Sequence, residues 1–125
     1  MIVLDANIVV EILEQRDRKS AVIAALRGHE GHDNAVTALT LSNVFYILER
    51  NKKEITAAEP LLKCYKVLGV ASEDADWAFA HYNGTDFEDA LQVATAIREH
   101  CAAFLTLDVT LAQKYGKFLP IELIR

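Results

Sequence analysis

The chain is poor in cysteine, proline, glycine and tryptophan: it has two Cys, two Pro, five Gly and one Trp. Two cysteines cannot staple a small fold together. Cys64 and Cys101 each stand in an apolar helical pattern, so we expect buried free thiols in a reducing compartment. The few prolines and glycines leave no linker to divide the chain. Apolar stretches fall far short of the roughly 20 residues a membrane span requires. Met1 leads directly into I2-V3-L4, with neither a basic leader region nor a cleavage site, so the sequence predicts no signal peptide and a cytoplasmic location. Positive charge is the minority, with 13 Lys and Arg against 18 Asp and Glu and a net charge of -5. A protein that coats DNA non-specifically needs many phosphate contacts, and this balance argues against one. It does not exclude a nuclease, whose metal-binding carboxylates would themselves make the total negative.

What is present is a globular mixture, 52% hydrophobic and 25% charged over 125 residues. That length fits one domain over residues 1–125 with a single core. I2-V3-L4 is a continuous apolar run ending at Asp5, as in a buried parallel strand. A helical pattern follows through Ile8, Ile12 and Leu13, and a second runs from about Lys19 to Leu26 with Gly28 as its cap. Ala35-Val36 is a short apolar segment before Thr37, which can cap a helix carrying Leu41, Val44, Phe45 and Leu48. T56-A57-A58-E59 has capping-box spacing, with Pro60 in the first turn, and opens a helix through Leu61, Leu62 and Tyr65. K66-V67-L68-G69-V70-A71 reads as a third strand. Ser72 caps a helix through Trp77 and Tyr82 that Gly84 ends. T85-D86-F87-E88 is a further capping box, opening a helix to about His100. A103-F104-L105-T106 is a strand, and a short helix and Leu119–Leu123 close the chain. Strands alternating with helices predict a parallel sheet with helices on both faces, in which ligands bind beyond the carboxyl ends of the strands.

The acids gather at those ends. Asp5 follows the first strand, and Asp108 lies just past the fourth. Asp86 and Asp89 are three residues apart on one helix and share a face. If that helix begins at the same edge, four carboxylates converge on one cleft. Two such charges about 4 Å apart repel by roughly 4 kcal/mol at an effective dielectric near 20. Protonation or a divalent cation relieves that repulsion. Oxygen donors without His or Cys favour Mg²⁺ or Mn²⁺ over zinc. First-turn acids also stabilise helices with no further role. Glu88 fits that simpler reading, closing the box on Thr85, and Asp86 admits either. Asp89 precedes the apolar A90-L91-x-x-A94 face and is expected to point inward.

These residues carry a resemblance. V3-L4-D5-A6-N7-I8-V9-V10-E11, D86-F87-E88-D89-A90-L91-Q92-V93-A94-T95-A96 and L105-T106-L107-D108 resemble, in order, the acidic motifs of the PIN-domain family. The toxin branch of bacterial and archaeal toxin–antitoxin pairs (VapC-type) is the most similar. The resemblance covers nearly the whole chain. It implies an α/β fold, a three-layer α/β/α sandwich on a central parallel sheet of about five strands, and a Mg²⁺- or Mn²⁺-dependent endoribonuclease. It further implies Asp5, Asp89 and Asp108 as metal ligands and Asp86 as an auxiliary acid, with Asn7 and Thr106 beside the site. Its implied partners are an RNA substrate, a second copy in a homodimer and an antitoxin whose peptide blocks the cleft. One position departs from the pattern. T37-A38-L39-T40-L41-S42-N43-V44-F45-Y46-I47-L48 has Asn43 where the family usually has Glu. An amide offers an oxygen but no charge, and it cannot serve as a base. A weakened or inactive module that binds RNA or a protein is therefore the alternative, unless Glu11 or Glu49 compensates.

Other readings fit less well. A receiver domain needs a phosphoacceptor Asp after its third strand, and V70-A71-S72 supplies none. A haloacid-dehalogenase-type phosphatase needs an acid two positions after Asp5, where Asn7 stands. H29-E30-G31-H32-D33 follows a helix cap and has no complementary half, so it reads as a polar surface loop rather than a metal site. His81 and His100 read as helix-end residues, and Trp77, Phe79 and Tyr82 as core or interface. R16-x-R18-K19 and R50-N51-K52-K53 are solvated helix ends, one of which could flank the acidic cleft and hold an RNA backbone.

Overall fold

A computed structural model describes residues Met1–Arg125. Five strands form one sheet in the order β3-β2-β1-β4-β5: β1 Ile2–Leu4, β2 Asn34–Thr37, β3 Lys66–Leu68, β4 Ala103–Thr106 and β5 Ile121–Leu123. Every neighbouring pair is parallel. Seven helices connect them: α1 Ala6–Leu13, α2 Lys19–Arg27, α3 Ala38–Arg50, α4 Ile55–Leu62, α5 Ser72–His81, α6 Phe87–Arg98 and α7 Val109–Tyr115.

The period-2 alternation of strands sends successive side chains to opposite faces. Ile2 and Leu4 of β1, Val36 of β2 and Leu105 of β4 enter one apolar core with residues of α1 to α4. Val3, Ala35 and Phe104, from the same strands, enter a second core with residues of α5, α6 and α7. The fold is therefore a three-layer α/β/α sandwich, as the alternation of elements predicts. Chain order reverses around β1: β2 and β3 extend the sheet one way, β4 and β5 the other. Such a switch point opens a crevice at the carboxyl ends of the central strands.

Several local expectations are corrected. Cys64 is exposed and Cys101 only half-buried, so neither is a core thiol. The helix at T56-A57-A58-E59 begins at Ile55, two residues before the start that the box implies, without a side-chain cap. Glu59 instead pairs with Lys63 at 2.9 Å. Pro60 lies in the body of that helix, beyond its first turn, and removes one hydrogen bond near an end that stops at Leu62. Ser72 is the first helical residue rather than the cap. The cap interaction comes from Asp74, whose Oδ2 accepts the Ala71 N–H at 2.8 Å. The strand at 66–71 stops at Leu68, and the one at 119–123 begins at Ile121.

Candidate functional site

Asp5 leaves the carboxyl end of β1 and is at once the N-cap of α1, where its Oδ1 accepts the Ala6 N–H at 2.7 Å. It is only 6% exposed. Its Oδ2 accepts hydrogen bonds from the Thr106 hydroxyl at 2.7 Å and the Asn7 amide at 3.2 Å. The Asn7 side-chain oxygen in turn accepts the Leu107 N–H at 3.2 Å, tying α1 to the segment after β4. The Thr106 hydroxyl oxygen accepts the Asp108 N–H at 3.0 Å. Asn7 and Thr106 are therefore the struts that fix Asp5 and begin the turn to Asp108.

Asp108 caps α7, with Oδ1 accepting the N–H groups of Thr110 at 2.9 Å and Leu111 at 3.2 Å. Asp89 lies in the first turn of α6. A cavity of about 260 Å³ is lined by Asp5, Asn7, Arg16, Asn43, Asp89 and Asp108, with apolar residues completing its wall. No ion pair in the molecule involves Asp5, Asp89 or Asp108. The electrostatic consequence is direct. Burial, then the charges of Asp5 and Asp108, push the Asp89 carboxyl up to about 7. Burial also raises Asp5, against the hydrogen bonds from Thr106 and Ala6.

Three of the four expected carboxylates thus share the cavity, and Asp86 does not line it. The capping box at T85-D86-F87-E88 is not formed, because α6 begins at Phe87 with Asp86 itself at the N-cap position. In that register Asp89, not Glu88, is the third helical residue, so Glu88 cannot reach back as a box requires. The Asp86 carboxylate is engaged elsewhere, accepting from Lys114 and from the Tyr115 hydroxyl, the latter at 2.7 Å. Burial opposes its ionisation, but Lys114, Tyr115 and the Asn83 N–H outweigh burial and hold it at about 2.

Asn43 lines the cavity from α3, and neither Glu11 nor Glu49 does. The Glu11 carboxylate is taken by the Arg18 N–H at 2.6 Å, and Glu49 is exposed. Of the two basic clusters only the first reaches the rim, through Arg16. Its guanidinium pairs with Glu14 at 2.5 Å. The same carboxylate accepts from Asn51 at 2.6 Å, which orients the pair against α3. The loop around His29 holds no metal grouping, and His29 pairs with Glu122 of β5 at 2.5 Å.

One feature of the site had no sequence signal. Thr40, the partner of the α3 cap residue Thr37, donates to the buried Gln92 side chain at 2.7 Å. Asn43 stands three residues after Thr40, and Asp89 three before Gln92. The Thr40–Gln92 clasp therefore sets the distance between the two cavity walls that Asn43 and Asp89 occupy. Thr40 lies outside the acidic motifs, Gln92 within the second of them, and only the hydrogen bond between α3 and α6, 52 residues apart in sequence, connects them.

The donor set is all oxygen, carries three uncompensated carboxylates and contains no thiolate or imidazole. That is the chemistry of a hard divalent cation rather than of zinc. The groups are not drawn into a closed ligand shell: no cluster of three acids, histidines or cysteines is near enough to hold an ion as it stands. The residues fit such an ion by donor type and charge.

Known proteins share this architecture. A family model described as PIN domain matches residues 1–110. No curated protein matches the chain. Among solved structures, the fold is similar to a VapBC2 complex from Rickettsia felis bound to a promoter DNA fragment (TM-score 0.77, 17% identity, 100% of each chain covered). It is also similar to a toxin–antitoxin complex from Klebsiella pneumoniae (TM-score 0.76, 17% identity, 98% and 96% covered). A third is VapC20 of Mycobacterium tuberculosis, a sarcin–ricin loop-cleaving toxin (TM-score 0.70, 14% identity, 90% and 94% covered). With nearly the whole chain matched by the family model, this protein belongs to the PIN-domain family.

Proposed function

We propose that this PIN-domain chain is a divalent-metal-dependent endoribonuclease and the toxin of a toxin–antitoxin pair. The observation that carries the reading is the cavity at the switch point, lined by Asp5, Asp89 and Asp108, none of which forms an ion pair. Those three residues would hold Mg²⁺ or Mn²⁺, with Asn43 offering a neutral oxygen. When bound, the ion supplies an activated water and neutralises charge on the leaving oxygen of a phosphodiester.

The chain's own residues do the rest. Thr106 and Asn7 hold the Asp5 carboxylate in one orientation, so little rearrangement accompanies ligation. Arg16, pre-set by Glu14 and Asn51, meets a phosphate at the rim through a charge-assisted pair. Asp86 acts as an auxiliary acid in position rather than in contact. By gripping Lys114 and Tyr115 it ties the start of α6 to the end of α7, and so Asp89 to the helix that Asp108 caps.

The toxin role and an antitoxin partner are supported by the shared fold with toxin–antitoxin complexes, and a homodimer is proposed with them. No helix of the chain is long and apolar enough to cross a membrane, which is compatible with the proposed cytoplasmic location. A binding module without cleavage is the second reading. It is favoured by one observation, that Asn43 removes a charge from the wall opposite Asp89.

The test is cleavage of a panel of structured RNAs with Mn²⁺, Mg²⁺ or chelator, beside Asp5→Asn. Cutting that needs both the metal and Asp5 supports the nuclease. RNA or partner binding without cutting moves the assignment to the binding module.

A further inference from the structure

A second hollow adjoins the acidic cavity, and Asn43 lines both. The other lining residues of this second hollow, of about 280 Å³, are Leu39, Ser42, Tyr46 and Glu88. Asn43 and Tyr46 are three residues apart on α3 and so share a face. Glu88 comes from α6, next in sequence to Asp89. Tyr46 is 60% exposed. Phe79 and Tyr82, the exposed aromatics at the end of α5, pack on each other and on Phe87, whereas Tyr46 stacks on no other ring. Glu88 makes no ion pair.

We propose that this hollow is a nucleobase subsite that takes one unpaired base of the RNA, guanine best, while the adjoining phosphate enters the acidic cavity. The inference rests on the ribonuclease reading and adds a substrate class to it. Proteins that read single-stranded RNA stack an exposed base on an aromatic face and hydrogen-bond its Watson–Crick edge. Tyr46 supplies the face. Glu88 supplies two acceptor oxygens, which match the adjacent N1–H and N2–H donors of guanine. Uracil would set two carbonyls against the same carboxylate. Asn43, with one donor and one acceptor group on its amide, is suited to the O6 edge. On this account Asn43 belongs as much to the base as to the metal. A Glu at that position would add a second negative charge to the hollow and repel the base carbonyl. A duplex keeps its bases stacked and paired, so the subsite selects loops, bulges and single strands.

The experiment measures binding without turnover. Short single-stranded RNAs carrying 2-aminopurine at each position are titrated, in chelator, against the full chain and the Tyr46→Ala, Tyr46→Phe and Glu88→Gln variants. The proposal expects one position whose fluorescence is quenched by stacking. Tyr46→Ala should weaken binding about 5- to 150-fold and abolish the quench, and Tyr46→Phe should stay within about twofold of the parent. With natural bases at that position, Glu88→Gln should reduce the preference for guanine over uracil there. Parent binding with Tyr46→Ala unchanged overturns the subsite and leaves the nuclease standing. So does a Tyr46→Ala protein that falls from dimer to monomer with RNA affinity intact, since Tyr46 is then a subunit contact. No RNA binding by the parent chain overturns the subsite, and the ribonuclease reading, which needs the metal, is decided separately by the cleavage panel with Mn²⁺ or Mg²⁺.

Discussion

The helix α6 carries acidic chemistry of two kinds at its two ends. Near its start, Asp89 shares a cavity with Asp5 and Asp108 and forms no ion pair. Near its end, Arg98 grips the buried Asp74 of α5, donating from Nε to Oδ1 at 2.9 Å and from Nη2 to Oδ2 at 3.1 Å. Thr95 donates to the same carboxylate at 2.9 Å. Burial alone would raise the Asp74 carboxyl, and Arg98, Ala71 and Thr95 outweigh it and lower the pKa. The contrast separates two uses of a buried charge. An acid placed to hold helices together arrives with its partners. An acid placed to act on something else is left short of them, and the fold accepts the repulsion. Asp5 is 6% exposed and Asp74 2%, so burial does not distinguish the two; the cationic partner does.

The contrast is broken most sharply by exchanging the substitutions. Asp5→Asn keeps the shape of the cavity while removing a charge, and RNA cleavage should fall by at least about a hundredfold with little loss of thermal stability. Asp74→Asn should do the reverse. It leaves Arg98 without its partner and should destabilise by about 1.5–3 kcal/mol, the range for hydrogen bonds to charged groups, with cleavage per folded molecule unchanged. Thermal melts beside initial rates decide it. A loss of cleavage in the folded Asp74 variant would mean that the two ends of α6 are not separate in function.

The two ends of α6 are not equally legible in the sequence. The strand–helix alternation predicts the layers, and the position of acids directly after apolar strands marks Asp5 and Asp108. Asp89 is legible because it opens an apolar face. Asp86 is not. Its role depends on Lys114 and Tyr115, 28 and 29 residues away, and no local pattern encodes that meeting. The same holds for Asp74 with Arg98, 24 residues apart, and for Thr40 with Gln92, 52 apart. The T85-x-x-E88 box misleads because capping motifs assume that the cap side chain is free to bend back, and a tertiary partner has claimed Asp86. Arg16 looks like a solvated helix end because what fixes its partner Glu14 is Asn51, 37 residues from Glu14, and no local pattern encodes that contact.

A smaller effect sharpens the contrast from the metal side. Asn43→Glu restores an acidic wall opposite Asp89 and should tighten Mn²⁺ binding about tenfold, roughly 1.4 kcal/mol, by calorimetric titration. The same change adds repulsion to a cluster that already has too much negative charge, so the metal-free variant should melt below the parent. Unchanged Mn²⁺ affinity would mean that Asn43 does not face the ion at all.

The smallest effect is one of slope. The Asp89 carboxyl sits at about 7 in the folded chain against a reference of 3.8, so the native state keeps a proton there that the unfolded chain has released. Stability from this group is present below pH 4 and is lost as pH rises through 7. Asp74 has the opposite sign. Its folded pKa is below 3.8, so its contribution is present above that pH and is lost on acidification. Without metal, Asp89→Asn should therefore raise the melting temperature over the parent by a few degrees at pH 8, and the gain should vanish at pH 4. Asp89 is only half-buried, and solvent screening holds the gain to that scale. Saturating Mn²⁺ should reverse the order at pH 8, because a cation stabilises only the chain that keeps its carboxylate. A gain in the Asp89 variant that is equal at both pH values, and untouched by Mn²⁺, would mean that the helix start was improved by better local packing and not by relief of charge.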